Sequence, residues 1–310
     1  MNKDLLYHYT SADAFVGMIN GGKAIASKCG SKDIEKSLLF WASSVYTMND
    51  PSEMFYGYDK VTEMIKRADD KKILTSYYDQ IVISDYTEGQ KAKFFMDHFF
   101  NVEKTPFVIS FSLSKETETE KDNDEELFML SMYGDSGRGV RLGFDIDLVS
   151  TKENGDKSEV LIFPICYDDE KIEDILYPIL LQQVKDSYKR LETIKDAEGI
   201  VWEKVVSIAS IYMMFCSLIK DPNYRKENEW RVITHSHNAS LTDVKIRTRG
   251  TLIVPYVELF IPIRYLREII VGPCCDFDLQ KRSIELTLKS FGIDINTIRI
   301  EKSRIPYRNM

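Results

Sequence analysis

The chain has 310 residues, of which 44% are hydrophobic and 12% aromatic, and its formal net charge is −8. This composition excludes a largely disordered or collagen-like protein and provides enough apolar material for a packed core. The acidic balance argues against a protein that coats duplex nucleic acid, although it leaves room for a local basic groove.

The cysteine content and the hydropathy of the sequence indicate the cellular compartment of the protein. Five cysteines are scattered along the sequence, which favours a reducing compartment over a disulfide framework. No apolar segment approaches the roughly 20 residues that span a bilayer, and the N-terminus lacks the apolar core of a signal peptide. We therefore expect a cytoplasmic protein with no membrane partner.

The first third of the chain mixes strand and helix patterns. A strand at residues 5–9 precedes a helix that Ser11 can cap and that Gly21-Gly22 is expected to stop. A buried strand follows at 38–42, and Asn49-Asp50-Pro51 is typical of a turn. Apolar residues at helical spacing then run from residue 55 to about 100.

The middle of the chain contains a strongly acidic segment between predicted elements. Residues 115–126 carry seven carboxylates and two lysines, a pattern typical of a solvated loop. Asp124 can cap a helix that Gly134 ends. The strands predicted around this segment cover residues 107–112, 139–144 and 160–167.

The remaining sequence predicts two long helices followed by a return to strands. Residues 169–220 carry two helical patterns, which we expect to pair as an antiparallel helical insertion. Because no repeat or flexible linker is found, we expect one α+β domain over residues 1–310. The last predicted elements are strands at 229–233, 251–263, 268–273 and 298–300 and a helix at 278–291.

Some short motifs have ordinary structural explanations. Gly134-Asp135-Ser136-Gly137 matches a serine-protease tetrapeptide but is interpreted as a helix-to-strand turn. His235-Ser236-His237 and Cys274-Cys275 contain zinc-ligand types, yet nothing fixes their proximity, so no metal is expected. Trp41 and Trp230 are interpreted as core aromatics rather than stacking platforms.

Polar residues within or at the ends of apolar strands are the candidates for function, because their burial needs a reason. Ser110 and Ser112 alternate with an aromatic residue and so share one face of a strand. Glu227 and Glu229, two apart on an extended segment, also share a face and need a cationic or hydroxyl partner. The full set is His8, Ser110, Ser112, Tyr133, Glu227, Glu229 and Arg231.

Five short motifs, read together, resemble a bacterial family catalogued as domain of unknown function 2971. Their order and spacing extend over nearly the whole chain, which makes the resemblance more specific than any one motif. The matching pieces are Leu6-Tyr7-His8-Tyr9-Thr10-Ser11, Asn49-Asp50-Pro51-Ser52-Glu53, Ser110-Phe111-Ser112, Met132-Tyr133-Gly134 with the strand at 139–145, and Glu227-Asn228-Glu229-Trp230-Arg231.

That family in turn resembles ADP-ribosyltransferases, which implies a split β-sheet core and NAD as the substrate. The resemblance implies that His8 holds the adenosine ribose and that Ser110 and Ser112 support the pocket. It also implies that an aromatic residue stacks on nicotinamide. This role falls on Tyr133, with Tyr46 and Tyr56 as rivals.

The resemblance further implies that Glu229, with Glu227 beside it, contacts the nicotinamide ribose. Nicotinamide leaves as an already cationic group, so one carboxylate can suffice. We expect Glu229 to accept a hydrogen bond from the ribose 2-hydroxyl and to stabilise the oxocarbenium charge. Glu227 would orient or deprotonate the acceptor, while Arg231 would hold Glu229 ionised or touch a phosphate.

The expected function is therefore NAD-dependent ADP-ribosyl transfer by a toxin or phage-defence enzyme. The acceptor is an unidentified macromolecule, with nucleic acid among the possibilities, and simple NAD hydrolysis is a variant of the same chemistry. The alternative is a non-catalytic nucleotide-binding or interaction module on the same fold.

Overall fold

The structure is a computed structural model that describes residues 5–29, 36–48, 53–67, 106–114, 120–145, 161–192, 210–234 and 244–305. The strands are β1 (Leu5–Thr10), β2 (Ser37–Ser44), β3 (Phe107–Ser114), β4 (Val140–Asp145), β5 (Leu161–Pro164), β6 (Glu229–Thr234), β7 (Lys245–Arg249), β8 (Leu252–Pro262), β9 (Leu266–Val271) and β10 (Arg299–Lys302).

Helices alternate with these strands. A short helix at Asp169–Lys171 and a π-helical turn at Ile172–Leu176 lead into the fourth long helix. The helices are α1 (Ala12–Cys29), α2 (Glu53–Arg67), α3 (Glu120–Tyr133), α4 (Tyr177–Glu192), α5 at residues 210–216 and α6 (Phe277–Ser290).

The described strands form one ten-stranded sheet in the order β10-β9-β4-β1-β3-β2-β8-β7, with β6 also paired to β3 and β5 paired to β6. Strands β9 and β10 run parallel, and the other pairs are antiparallel. A large, mostly antiparallel sheet flanked by helices confirms the predicted α+β class.

The sheet forks at β3. One edge of β3 pairs with β6 over residues 107–112. The opposite edge is shared, because Ser112 pairs with Tyr7 of β1 while Val108 pairs with Ser43 of β2. Among the described strands, the middle of β3 therefore has no neighbour on that edge.

Each face of the sheet packs against its own helices. One face, carrying Phe40 and Phe111, packs against α1 and α6. The other face, which we call the α3 face, carries Tyr7, Val108 and Ile233. Near β1 it is covered by α3, and near β3 and β6 by α2, α4 and α5.

Helix α1 does not stop at Gly21-Gly22, as the sequence predicts, but continues to Cys29. A Cβ on Gly22 would lie 1.9 Å from the carbonyl oxygen of Ser37, and one on Gly21 would lie 2.2 Å from Leu39. The two glycines therefore allow close approach of α1 to β2, and a helix tolerates them at a modest loss of stability.

The acidic segment is also less loop-like than predicted. Helix α3 begins at Glu120, so residues 120–126 are helical and Asp124 lies inside the helix rather than at its cap. Glu126 forms an ion pair with Arg141 at 3.0 Å, and Arg141 is nearly buried. The ion pair with a buried cation compensates this carboxylate for its loss of solvation.

Strand β7 is missing from the predicted elements. It pairs with β8 through a turn in which Gly250 has a φ of 60°, which glycine adopts without strain. The interpretation of Trp41 as a core residue is wrong, since this side chain is 46% exposed. Trp230 is half-buried and packs against the core.

Some predictions fall outside the described residues, namely the turn at 49–51, the helical pattern at 68–100 and the histidines at 235 and 237. The same holds for residues 193–209, on which the antiparallel pairing depends. Within the described part of the chain, no helix is long and apolar enough to cross a membrane.

Close helix packing at Gly57 provides a test of the fold. A Cβ at this position in α2 would lie 2.0 Å from the carbonyl oxygen of Cys216, whereas Gly17 in α1 has open space around it. We expect Gly57→Ala to lower the free energy of unfolding by roughly 1–3 kcal/mol or more, through forced separation of the two segments. The matched Gly17→Ala change should be neutral or stabilising by up to about 1 kcal/mol. Urea unfolding followed by circular dichroism measures both, and equal effects would contradict the packing described.

Candidate functional site

A pocket opens on the α3 face where the sheet forks. Its volume is about 100 Å³, which is below the roughly 300–1,000 Å³ of sites for drug-sized ligands. Aromatic and apolar side chains dominate the walls, and charged groups gather at the floor. The lining residues are Tyr7, His8, Tyr9, Met48, Ser110, Phe111, Met129, Tyr133, Lys220, Glu227 and Glu229.

His8 fills the gap in the fork. Its Nδ1 lies 3.0 Å from the carbonyl oxygen of Ser110, which stands on the stretch of β3 that lacks a strand neighbour. The imidazole ring also contacts Phe40 and Phe111, at centroid distances of 5.1 and 5.6 Å. This side chain therefore replaces a missing ladder hydrogen bond between β1 and β3.

Burial determines the protonation of His8. Removal from water lowers the pKa of the imidazole, and the hydrogen bond to Ser110 only partly opposes this effect. The neutral ring then donates from Nδ1, which leaves Nε2 as an acceptor.

Glu227 and Glu229 reach the same pocket by a path that the sequence does not predict. Instead of one extended segment, Glu227 ends a 3₁₀ turn and Asn228 adopts a left-handed conformation with φ 41° before β6 begins. The side chain of Asn228 donates to the carbonyl oxygen of Leu113 at 2.5 Å. An asparagine at this position tolerates the conformation and ties the turn to β3.

Two cations compensate the two carboxylates at the pocket floor. Arg231 donates twice to Glu229, at 2.7 and 3.0 Å, and is fully buried. Lys220 bridges the pair, at 2.5 Å from Glu227 and 3.1 Å from Glu229. We call these four side chains the floor cluster. Its formal charges cancel, as buried ionic groups require.

Hydroxyl groups complete the floor cluster. Ser110 donates to Oε1 of Glu229 at 2.5 Å, and Tyr133 donates to Oε1 of Glu227 at 2.7 Å. Burial alone would raise the pKa of Glu229, but Arg231 and Lys220 outweigh burial and hold that pKa at about 2. Glu229 is therefore ionised throughout the physiological range.

The two carboxylates differ in how many acceptor positions remain. Glu229 accepts from Arg231 twice, from Lys220 and from Ser110, which uses the roughly four positions of a carboxylate. Within the described residues, Glu227 accepts only from Tyr133 and Lys220. Both side chains belong to residues that are 4% exposed, so the pocket meets them only at its floor.

The structure brings most of the predicted site residues to one place. His8, Ser110, Tyr133, Glu227 and Glu229 all line the pocket, whereas the rival aromatics predicted at positions 46 and 56 do not.

Two predicted residues do not reach the pocket wall. Ser112 is buried in the pairing of β3 with β1 and β6. Arg231 has no exposed surface, because it lies beside Glu229 and donates to the carbonyl oxygen of Ser217 at 2.6 Å. Its contacts fit the role of holding Glu229 ionised, and its burial leaves no surface for a phosphate.

Sequence reasoning missed Lys220 altogether. This lysine follows the nearly continuous apolar run at residues 211–219 and is 5% exposed. A lysine that ends such a run must bury its charge against a partner, which is a signal that the sequence does carry. The apolar lining residues Met48 and Met129 were also missed, because nothing in their local pattern distinguishes them from core residues.

Comparison with known proteins gives one finding. Residues 129–232 match a family described as "Protein of unknown function (DUF2971)", which supports the resemblance to that family. No curated protein and no solved structure matches the chain. The matched segment contains Tyr133 and the whole floor cluster, while His8 and Ser110 lie before it.

The burial of His8 predicts a specific pH dependence. Its pKa is lower in the folded protein than the ordinary value of about 6.5, so the unfolded chain takes up the proton first and stability is lost as the pH falls below that value. From about pH 7 to pH 5.5, His8 should account for a loss of up to about 1 kcal/mol in the free energy of unfolding. The His8→Asn variant should lose correspondingly less across this range. Urea titrations measure the free energy of unfolding at each pH. An equal decrease with falling pH in the two proteins would contradict a buried neutral imidazole.

The floor cluster predicts unequal effects of removing carboxylates. Glu229→Gln leaves Arg231 buried without its counter-ion and should lower the free energy of unfolding by about 3–5 kcal/mol. The matched control Asp145→Asn removes a buried carboxylate whose partner Arg267 is 44% exposed, and should be much milder because that arginine can be rehydrated. Combining Glu229→Gln with Arg231→Met should give less than the sum of the single effects, and strict additivity in urea unfolding would argue against direct coupling.

Proposed function

We propose that the protein is an NAD-dependent ADP-ribosyltransferase that breaks the bond between ribose and nicotinamide in this pocket. One observation carries the proposal. Residues to which the resemblance assigns roles toward NAD come from three distant parts of the sequence, yet they line a single pocket. They are His8, Ser110, Tyr133, Glu227 and Glu229.

The walls of the pocket suit the nicotinamide end of such a substrate. The flat aromatic surface of Tyr133 favours a planar ring, and the lining methionines Met48 and Met129 can adapt to its shape. In the neutral state of His8, Nε2 is available to accept a hydrogen bond from a ribose hydroxyl. Aromatic walls with a few polar groups at the floor are typical of small-molecule sites.

The acceptor positions at the floor suggest a division of roles between the two carboxylates. Glu229 has its acceptor positions engaged by protein donors, so it serves to fix the cluster and to neutralise Arg231. Glu227 is the carboxylate that can accept a hydrogen bond from the ribose 2-hydroxyl and still keep its hydrogen bonds from Tyr133 and Lys220. In this proposal Glu227 stabilises the developing oxocarbenium charge, a contact that strengthens in the transition state.

The test measures nicotinamide released from labelled NAD. We expect the wild-type protein to release nicotinamide and Glu227→Gln to release it at least about 100-fold more slowly, because a preorganised charge at the reacting sugar is lost. Tyr133→Phe, which removes the donor to Glu227 but keeps the ring, should reduce the rate less. Gly57→Ala, which is expected to destabilise the fold at a residue that does not line the pocket, serves as the control for general destabilisation. Wild-type rates in Glu227→Gln, or no release by the wild-type protein, would rule out this assignment.

A non-catalytic nucleotide-binding module is the second candidate, and the neutral floor cluster favours it. Two carboxylates already balanced by Lys220 and Arg231 provide little net negative charge for a sugar cation. This alternative predicts that NAD raises the melting temperature without turnover, since a ligand that binds only the native state stabilises it by about 2.7 kcal/mol at 100 times its Kd. The stabilisation should weaken in His8→Asn. Nicotinamide release at a rate that depends on Glu227 would exclude the module.

A further inference from the structure

A second surface lies on the α3 face beyond the fork, where β2, β8 and β7 form the end of the sheet. The register pairs Ser43 with Tyr256, and Tyr256 with Lys245. Because side chains alternate along a strand, Trp41 and Arg247 point to the same side as these residues. We call this surface the basic-aromatic face. Its members are Trp41, Tyr256, Lys245, Arg247 and Arg249.

Trp41 is the exposed aromatic of this face. It is 46% exposed, and its ring lies 4.9 Å from the ring of Tyr256. The guanidinium of Arg247 lies 5.5 Å from the Trp41 ring centroid. A tryptophan held in place by an aromatic neighbour and a cation presents a flat surface whose orientation is already fixed.

The arginines of this face have hydrogen bonds but no counter-ion among the described residues. Arg247 donates to the Ser43 hydroxyl at 3.0 Å, and Arg249 donates to the carbonyl oxygen of Thr47 at 2.6 Å. The Nε of Arg247 is buried without a hydrogen-bond partner in the described part of the chain. Lys245 differs, because it pairs with Glu258 at 2.7 Å.

The two arginines also repel each other. They lie two residues apart on one strand and so share a face. Burial lowers the pKa of Arg247, and the charge of Arg249 lowers it further. In a chain with a net charge of −8, two adjacent guanidiniums without carboxylate partners indicate that an anion from outside the chain would stabilise them.

We propose that the basic-aromatic face binds single-stranded nucleic acid, with a base stacked on Trp41 and phosphates held by Arg247 and Arg249. A ring half open to solvent can stack on an unpaired base, whereas the bases of a duplex are hidden from it. Arginine forks match phosphate geometry, which favours a polyanion over an apolar protein partner.

One end of the face lies close to the pocket. Arg249 binds the carbonyl oxygen of Thr47, and the next residue, Met48, lines the pocket wall. A strand bound at Arg249 would therefore lie close to the pocket. The binding proposal rests on the face alone and does not require NAD to be cleaved.

The experiment measures fluorescence anisotropy of a labelled single-stranded oligonucleotide of about ten nucleotides, as DNA and as RNA. Because the two arginines of the face can neutralise about two phosphates, the affinity should fall about 7-fold between roughly 50 and 200 mM salt. Trp41→Ala should weaken binding by about 5-fold or more. Arg249→Ala should make the logarithmic salt dependence shallower by about 0.7.

Controls separate this face from general electrostatics. Arg282→Ala removes an exposed arginine on α6, which packs against the other side of the sheet, and should leave the affinity unchanged. Melting temperatures of all variants confirm that they are folded. Absence of binding, equal binding of a duplex of the same length, or an equal loss in Arg282→Ala would overturn the proposal. So would displacement of the oligonucleotide by an equal concentration of inorganic pyrophosphate, since the arginines would then serve a small phosphate ligand.

Discussion

The buried guanidinium of Arg231 is the constraint around which the rest of this structure is arranged. An arginine keeps its charge at any physiological pH, so a fully buried one requires a counter-ion and acceptors for its remaining N–H groups. Glu229 supplies the counter-ion, and the carbonyl oxygen of Ser217 supplies a further acceptor. That second contact joins the end of α5 to the middle of the sheet, so one side chain fixes both the pocket floor and the helices beside it.

The same requirement explains why Lys220 and Glu227 accompany this pair. Glu229 alone would balance Arg231, but a second carboxylate beside it would be repelled without another cation between them. Lys220 takes that position and contacts both acids. The pocket therefore has a rigid polar floor before any ligand arrives, which is the arrangement that both binding and catalysis favour.

Much of the fold could be predicted from the sequence, because alternation along β1, β3 and β6 is strong and local. Glu229 and Arg231 were recognisable as site candidates for a related reason, since charged residues inside an apolar strand need partners. The fork could not be predicted, because it depends on β1 and β2 sharing an edge of β3, and no local pattern records which strands become neighbours. Strand β7 was not predicted, because its charged residues hide the apolar alternation of a strand. The end of α1 was predicted wrongly at Gly21-Gly22, because glycine occurs both at helix ends and where helices approach other segments closely.

The position of β1 has a consequence for how the chain folds as it is made. This strand is made before either of its neighbours, although it is an inner strand that pairs with Ser112 and Phe144. At about 5–20 residues per second, its second partner, β4, follows roughly 7–27 seconds later. During that interval a strand of mostly buried side chains has at least one edge unpaired. Chaperones that bind nascent chains would therefore be expected to shield Leu5–Thr10 until β4 has been synthesised.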